Sequence, residues 1–178
     1  MTFPNDVCTG ANSGDDGTCF TNTECTAKSG SVDGNCASGF GVCCTFTYSS
    51  CGSKISQNRS YITNPGYPTA YTVTGTAASC SYSVTPLSSN ICQLRLDFDA
   101  FALAITAADG ACIDTFAVTV GSGRDYPSLC GTNTGEHIYL ETGQVTTDQT
   151  LAFTVTPTTG SATYKIKVSQ IECFSTNK

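Results

Sequence analysis

Residues 91–98 read ICQLRLDF, and their alternation decides the fold class. Leu94, Leu96 and Phe98 fall on one face and Arg95 and Asp97 on the other, the two-residue period of a strand with one buried side. Cys92 is in phase with the apolar face, which directs its sulfur towards the core. The chain then passes through DAFALAITAADGA, read as a loop carrying acidic residues, to Cys112. There a second alternating run opens, with Phe116, Val118 and Val120 on a common face. Two core strands, each entered through a cysteine, point to a cross-linked all-β domain.

Working outward, the same period recurs. CSYSV begins at Cys80, LAFTVTP places Leu151, Phe153 and Val155 in register, and YKIKVSQIEC does so for Tyr164, Ile166 and Val168. Eight or more short strands with turn signals between them and no helical period predict an antiparallel β-sandwich or jelly roll over residues 49–178. Residues 1–48 read differently. They hold Cys8, Cys19, Cys25, Cys36, Cys43 and Cys44, separated by turn signals such as SGDDG and DGN, with Phe20, Phe40 and Val42 as the main apolar residues. So small an apolar set cannot order nearly fifty residues, and disulfides, each contributing about 2–4 kcal/mol, must do much of that work.

Composition excludes several classes of function. Of 178 residues only 12% are charged, with a formal net charge of −6. No basic surface is available to neutralise phosphates, which argues against nucleic acid as a partner. No apolar run reaches the roughly eighteen residues of a membrane-spanning helix, so no membrane insertion is expected. Twelve cysteines with one histidine and no C-x-x-C favour disulfides over zinc, and an oxidising, extracellular compartment. The opening MTFPNDVC has neither a charged nor an apolar leader region, so a secretion signal is expected to lie outside this chain. Asn58-Arg59-Ser60 is an N-glycosylation sequon, which fits secretion.

Six cysteines allow fifteen pairings, and spacing alone does not choose among them. Adjacent Cys43 and Cys44 must reach different partners. Residues 8–44, with GTC before the second cysteine and GFGVCC at the end, resemble an arthropod clip-type module. That resemblance implies Cys8–Cys43, Cys19–Cys36 and Cys25–Cys44. From Cys51 to Cys173, the phrases Cys51-Gly52, NPGYPTAY, CSYSV, LRLDFDAFAL, Cys112-x-Asp114 and LCG resemble a CUB domain, an extracellular two-sheet β-sandwich. The resemblance implies Cys51–Cys80 and Cys112–Cys130, and parity leaves Cys92–Cys173. GFGVCC, ICQLRLDF, LCGTNTGEH and IKVSQIEC are similar, more narrowly, to secreted arthropod CUB proteins, whose members often continue beyond the IEC motif; this chain is then a fragment or a shorter relative.

Many CUB domains bind calcium through a tyrosine, a glutamate and two aspartates, because a hard dication needs several oxygens, some of them anionic. The tyrosine matches Tyr71 and the first aspartate Asp114, but the glutamate position is Ala104 and the second aspartate position Thr156. Asp109 is the other carboxylate within that loop. The favoured reading is no metal and no cofactor, with Asp114 accepting hydrogen bonds from loop backbone and Tyr71 capping the sandwich edge. His137, beside Glu136, has no G-x-S-x-G serine or unpaired cysteine to serve, and nothing pairs Asp97, Asp99, Glu136 and Glu141 as glycosidase carboxylates. The chain therefore reads as a non-enzyme. Tyr61, Tyr67, Tyr71, Tyr126 and Tyr139 are candidates for a binding face, whereas Tyr82 and Tyr164 read as core. The expected function is a secreted binding module for a protein or glycan, with specificity on loops at one end of the sandwich. Alternatives are a structural or adhesive matrix component acting by self-association, and a regulatory partner of a serine-protease cascade.

Overall fold

The computed structural model describes residues 2–144, 146–156 and 159–173. Its contacts divide the chain into two compact units, Met1–Thr47 with Arg59–Tyr61, and Tyr48–Asn58 with Ile62–Lys178.

The first unit is a four-stranded sheet in the order β1-β2-β4-β3, built from β1 (Val7–Thr9), β2 (Asp16–Phe20), β3 (Ser31–Cys36) and β4 (Gly41–Thr45). Disulfides join Cys8–Cys43, Cys19–Cys36 and Cys25–Cys44, so the paired cysteines of β4 reach different partners. The cystines are themselves the core: Cys25 and Cys44 are fully buried, and Phe20 meets Phe46 edge to face at 6.5 Å. Phe40 stands outside that core at 62% exposure. A six-residue helix, α1 (Asn22–Ala27), interrupts the strands where no helix was expected. It is too short to show a 3.6-residue period, but Thr21 and Glu24 form a reciprocal capping box that ties down its first turn. The β1–β2 turn is held by Asp33, whose carboxylate accepts from the Asn12 and Ser13 backbone amides at 2.8 and 3.0 Å and from both side chains. A side chain at Gly10 would place its Cβ 2.2 Å from Asp33 Oδ2, so the close approach requires glycine.

The remaining strands, which lie wholly or partly in the second unit, are β5 (Thr47–Tyr48), β6 (Lys54–Ile55), β7 (Ser60–Thr63), β8 (Ala78–Val84), β9 (Ile91–Leu103), β10 (Thr115–Thr119), β11 (Gly131–Thr132), β12 (His137–Glu141), β13 (Gln149–Val155) and β14 (Ala162–Glu172). One sheet runs β10-β13-β8-β6. The other runs β11-β9-β14-β7-β5, with β12 also on β9. The β10–β13, β13–β8, β11–β9, β12–β9 and β14–β9 pairings are antiparallel, and β6 pairs with β8 in parallel. The sheets face each other across one apolar core. Tyr82, Phe116, Leu151 and Phe153 contribute from one side, and Leu94, Leu96, Phe98, Tyr164 and Val168 from the other. Aromatic contacts cross the gap: Phe98 meets Phe116 edge to face at 6.3 Å, and Phe153 stacks on Tyr164 at 3.7 Å. Each such fully buried ring contributes roughly 1.5–3 kcal/mol of transfer free energy. Disulfides join Cys51–Cys80, Cys92–Cys173 and Cys112–Cys130.

The opening strand is longer than its alternation showed. A register shift sets Ile166 opposite Phe98 and Lys165 opposite Ala100, leaving Asp99 as an extra residue. This bulge reverses the phase, so Phe101 and Leu103 also point inward and β9 continues to Leu103, where the sequence pattern predicts a loop. Phe98 and Phe101 consequently pack together at 4.6 Å.

Candidate functional site

An apolar groove lies along one side of the sandwich, between the edge strands β10 and β12. Phe116 and Val118 reach it from β10, Tyr126, Pro127 and Leu129 from the segment before β11, and Ile138 and Tyr139 from β12. Together they line a half-open groove of about 260 Å³. Alternation explains the two strand contributions, since Phe116 and Val118 share the inward face of β10 while Ile138 is inward on β12. The intervening segment is tied to both edges. Phe116 and Leu129 exchange backbone hydrogen bonds at 2.9 Å, the Tyr126 hydroxyl accepts from Glu141 N at 2.6 Å, and Ser122 Oγ donates to Glu141 O at 2.7 Å.

That leaves part of the β12 edge open. Thr142 N donates to Cys92 O and Phe98 N donates to Glu136 O, so even-numbered backbone groups of β12 face β9 and odd-numbered ones turn outward. At Glu141 the outward groups are taken by Ser122 and Tyr126; those of His137 and Tyr139 turn away from β9, and Tyr139 also lines the groove. The Tyr139 ring is 45% exposed yet positioned. Arg95, opposite it on β9, donates from Nη1 to the Tyr139 hydroxyl at 3.0 Å, and from Nε and Nη2 to Asp97 Oδ1 at 2.9 and 2.7 Å. The Asp97 hydrogen bonds push the already high pKa of the guanidinium further up, so it remains a cation. His137 lies edge-on to Tyr139 at 5.6 Å.

Two of the five tyrosine candidates, Tyr126 and Tyr139, converge here. Tyr61 is 3% exposed, Tyr71 is bridged to Ala162, and Tyr67 lies in the turn before Pro68. Leu129, Pro127 and the β10 residues carried no signal beyond strand or turn character in the sequence. Tyr82 and Tyr164 are fully buried. Asn58 is half-buried, and its side-chain amide both donates to Gln170 O at 3.2 Å and accepts from Gln170 N at 2.8 Å.

No catalytic constellation assembles among the described residues. His137 is exposed and makes no hydrogen bond to a hydroxyl, every cysteine is in a disulfide, Asp97 is engaged by Arg95, and Glu141 accepts from Gln93.

A second convergence lies around Asp114, where the structure brings together the four positions that the resemblance assigns to calcium. Ala104 O accepts from Ile113 N and Asp114 N at 2.9 and 3.0 Å. The fully buried Asp114 carboxylate accepts from Thr156 N through Oδ1 at 2.8 Å and from Ser161 N through Oδ2 at 2.6 Å. Thr156 Oγ1 donates to Ile113 O at 2.7 Å, and Tyr71 pairs with Ala162 beside Ser161. No group of three metal-ligating side chains exists among the described residues. One carboxylate with both oxygens engaged by amides, a methyl group and a hydroxyl do not fit a calcium ion, which takes six to eight oxygens with several charges among them.

Two facing, mostly antiparallel sheets stapled by three cystines define a disulfide-bonded β-sandwich. The chain belongs to the CUB domain family, whose profile matches residues 51–168. CUB domains are mostly extracellular, generally non-catalytic modules that typically bind proteins. Among solved structures it is similar to the MASP-1 CUB2 domain bound to Ca2+, at 20% identity and a TM-score of 0.52, covering 67% of this chain and 98% of that one. It is also similar to the full extracellular region of zebrafish Gpr126/Adgrg6, at 20% identity and TM-score 0.52, covering 70% and 15% of the two chains. The CUB1-EGF-CUB2 domain of human MASP-1/3 matches at 18% identity and TM-score 0.53, covering 72% and 44%. At these identities the likeness is one of fold. This chain thus spans nearly all of the single-domain structure but less than half of the two multidomain ones. A comparison with curated proteins finds no significant match. No helix among the described residues is long and apolar enough to cross a membrane.

Proposed function

We propose that this chain is a secreted, non-catalytic module that binds a protein ligand along the β10–β12 side of its sandwich. The observation that carries the reading is the apolar groove lined by Ile138 and Tyr139 on the edge strand β12, whose odd-numbered backbone groups turn outward. An extended ligand segment laid along that edge would gain main-chain hydrogen bonds, while every second side chain would enter the groove, the pattern of β-strand addition. Tyr139, held between Arg95 and His137, supplies a pre-ordered aromatic contact with little rotamer entropy left to lose.

Tyr139→Ala tests the reading, because an exposed residue on an edge strand of a disulfide-stapled domain can be truncated without unfolding it. Capture of a ligand from native extracellular fluid by the full chain is expected to weaken by about 30-fold, the scale of an aromatic hot spot. Undiminished protein capture refutes it. Loss of glycan-array binding in its place identifies a sugar as the ligand.

The finer reading of residues 1–48 as an arthropod clip-like module is part of the same proposal, as is an N-glycan at Asn58. The bonding order of the first six cysteines, first to fifth, second to fourth and third to sixth, supports the clip-like reading. It also favours a second function, regulation of a serine-protease cascade. Failure of any protease or zymogen to co-purify with the native chain rules that function out.

A further inference from the structure

We infer that the Asp114 vertex is a metal-independent clamp, in which side chain–backbone hydrogen bonds join the 104–114 and 156–161 segments and calcium neither binds nor orders them. The inference does not depend on which ligand the groove takes. It rests on where the donors and acceptors lie. Asp114 Oδ1 and Oδ2 each accept from a backbone amide belonging to the same loop, Thr156 N and Ser161 N. Two N–H dipoles aimed at one carboxylate supply the partial positive charge that a cation would otherwise provide. Gly160 closes the approach on the Oδ1 side. Even a Cβ there would lie 2.3 Å from Oδ1 and 2.3 Å from Thr156 O, so loop backbone occupies the space that coordination would need.

The neighbouring acid does not make up the deficit. Asp109 is exposed, accepts from Thr106 Oγ1 and from Ala111 N at 3.1 Å, and thereby closes its own turn. The remaining two positions are Ala104, whose carbonyl binds the Ile113 and Asp114 amides, and Thr156, whose hydroxyl donates to Ile113 O. A single clamp thus replaces a dication with three side chain–backbone hydrogen bonds between the two segments, two through the Asp114 carboxylate and one through the Thr156 hydroxyl.

The test is the melting temperature of the full, oxidised chain in about 10 mM calcium chloride and in about 5 mM EGTA. A site of ordinary extracellular affinity, ~10⁻⁴–10⁻³ M, would raise the melting temperature by about 3 °C or more under these conditions. The expected difference is under about 1 °C. A larger upward shift, or saturable terbium luminescence sensitised by tyrosine and displaced by calcium, overturns the inference. Asp114→Asn turns an amide donor towards Ser161 N–H, so it should lower the melting temperature equally in calcium and in EGTA. A loss confined to the calcium sample overturns it as well. In the opposite direction, Ala104→Glu combined with Thr156→Asp supplies the two absent carboxylates and is expected to create a calcium-dependent shift. A folded double variant without that response refutes the assignment of these positions as the cause, and if it does not fold the wild-type measurements still decide.

Discussion

Tyr82 and Tyr164 form the polar staple between the two sheets, and substituting each by phenylalanine should give unequal losses. Both are fully buried, one on β8 and the other on β14. Tyr82 donates its only hydroxyl proton to Thr63 O at 2.7 Å, so in the 3.1 Å contact between the two hydroxyls Tyr164 must be the donor. Burial pushes both phenols up in pKa, which keeps both protons in place through the neutral range. Tyr164→Phe removes the end of this chain and orphans nothing, at a cost of about 0.5–1.5 kcal/mol. Tyr82→Phe leaves a buried carbonyl and a buried hydroxyl without their partner, at about 1–3 kcal/mol each before relaxation, or roughly 2–4 kcal/mol together. The double variant leaves only the Thr63 carbonyl, so it should be about 1 kcal/mol more stable than Tyr82→Phe alone, an opposite-signed coupling that independent sites do not show. Urea unfolding of the oxidised protein measures all three, with an unchanged slope as the check that the states are comparable. At the size of this chain each kcal/mol corresponds to about 2–4 °C in melting temperature. If Tyr164→Phe proves as costly as Tyr82→Phe, the direction of the hydroxyl relay is wrong.

Two further outcomes follow from the cystines and from Asp33. The Cys92–Cys173 bridge closes a loop with a sequence separation of 81 and Cys112–Cys130 one of 18. Loop-closure entropy therefore makes loss of the first by paired alanines cost about 4.5 kcal/mol and loss of the second about 3.2 kcal/mol, and calorimetry should rank the melting temperatures in that order. The Ser13 hydroxyl, followed by the Asn12 and Ser13 amides, holds the Asp33 carboxyl down to about 2. Because the folded value lies below the unfolded one, near 3.9, this carboxylate stabilises the turn above about pH 4, and the contribution is lost as pH falls towards 2. Amide exchange at Asn12 and Ser13 should accelerate over that window, and the acid step should vanish in Asp33→Asn.

The fold class was legible because alternation reports burial directly. ICQLRLDF, TFAVT, QTLAFTV and YKIKV each carry the two-residue period, and each is a strand. What alternation cannot register is a change of phase. One extra residue at Asp99 turns an even-numbered apolar set into an odd-numbered one, so a single strand of thirteen residues looks like a strand followed by a loop. Helix α1 escaped for the opposite reason, since six residues make fewer than two turns; its legible mark is the Thr21–Glu24 spacing, not a period. The groove was the least legible feature. Phe116, Val118 and Ile138 look like ordinary core alternators, and only strand pairing shows that β10 and β12 end their respective sheets on the same side and leave those residues half covered. Tyr126 and Tyr139 stood out as aromatic, but nothing local separates them from Tyr61, which is buried.

The charge distribution around the groove constrains how a ligand can be held there. The chain carries a net charge of −6, yet Arg95, the cation nearest Tyr139, is bound to Asp97 at 2.7 Å. Neither group is therefore available to steer an oppositely charged partner from a distance. The Asp114 carboxylate is likewise consumed by loop amides and has nothing to offer a ligand lysine. Affinity at the β12 edge must then come from apolar burial, the Tyr139 ring and main-chain hydrogen bonds, none of which is screened strongly by salt. Association should proceed at an unsteered rate of about 10⁵–10⁶ M⁻¹s⁻¹ and change by less than about threefold between 0.05 and 0.5 M sodium chloride. Surface plasmon resonance with the captured ligand measures this directly. A rate that falls tenfold or more over that range would place the interface on a charged surface away from this groove.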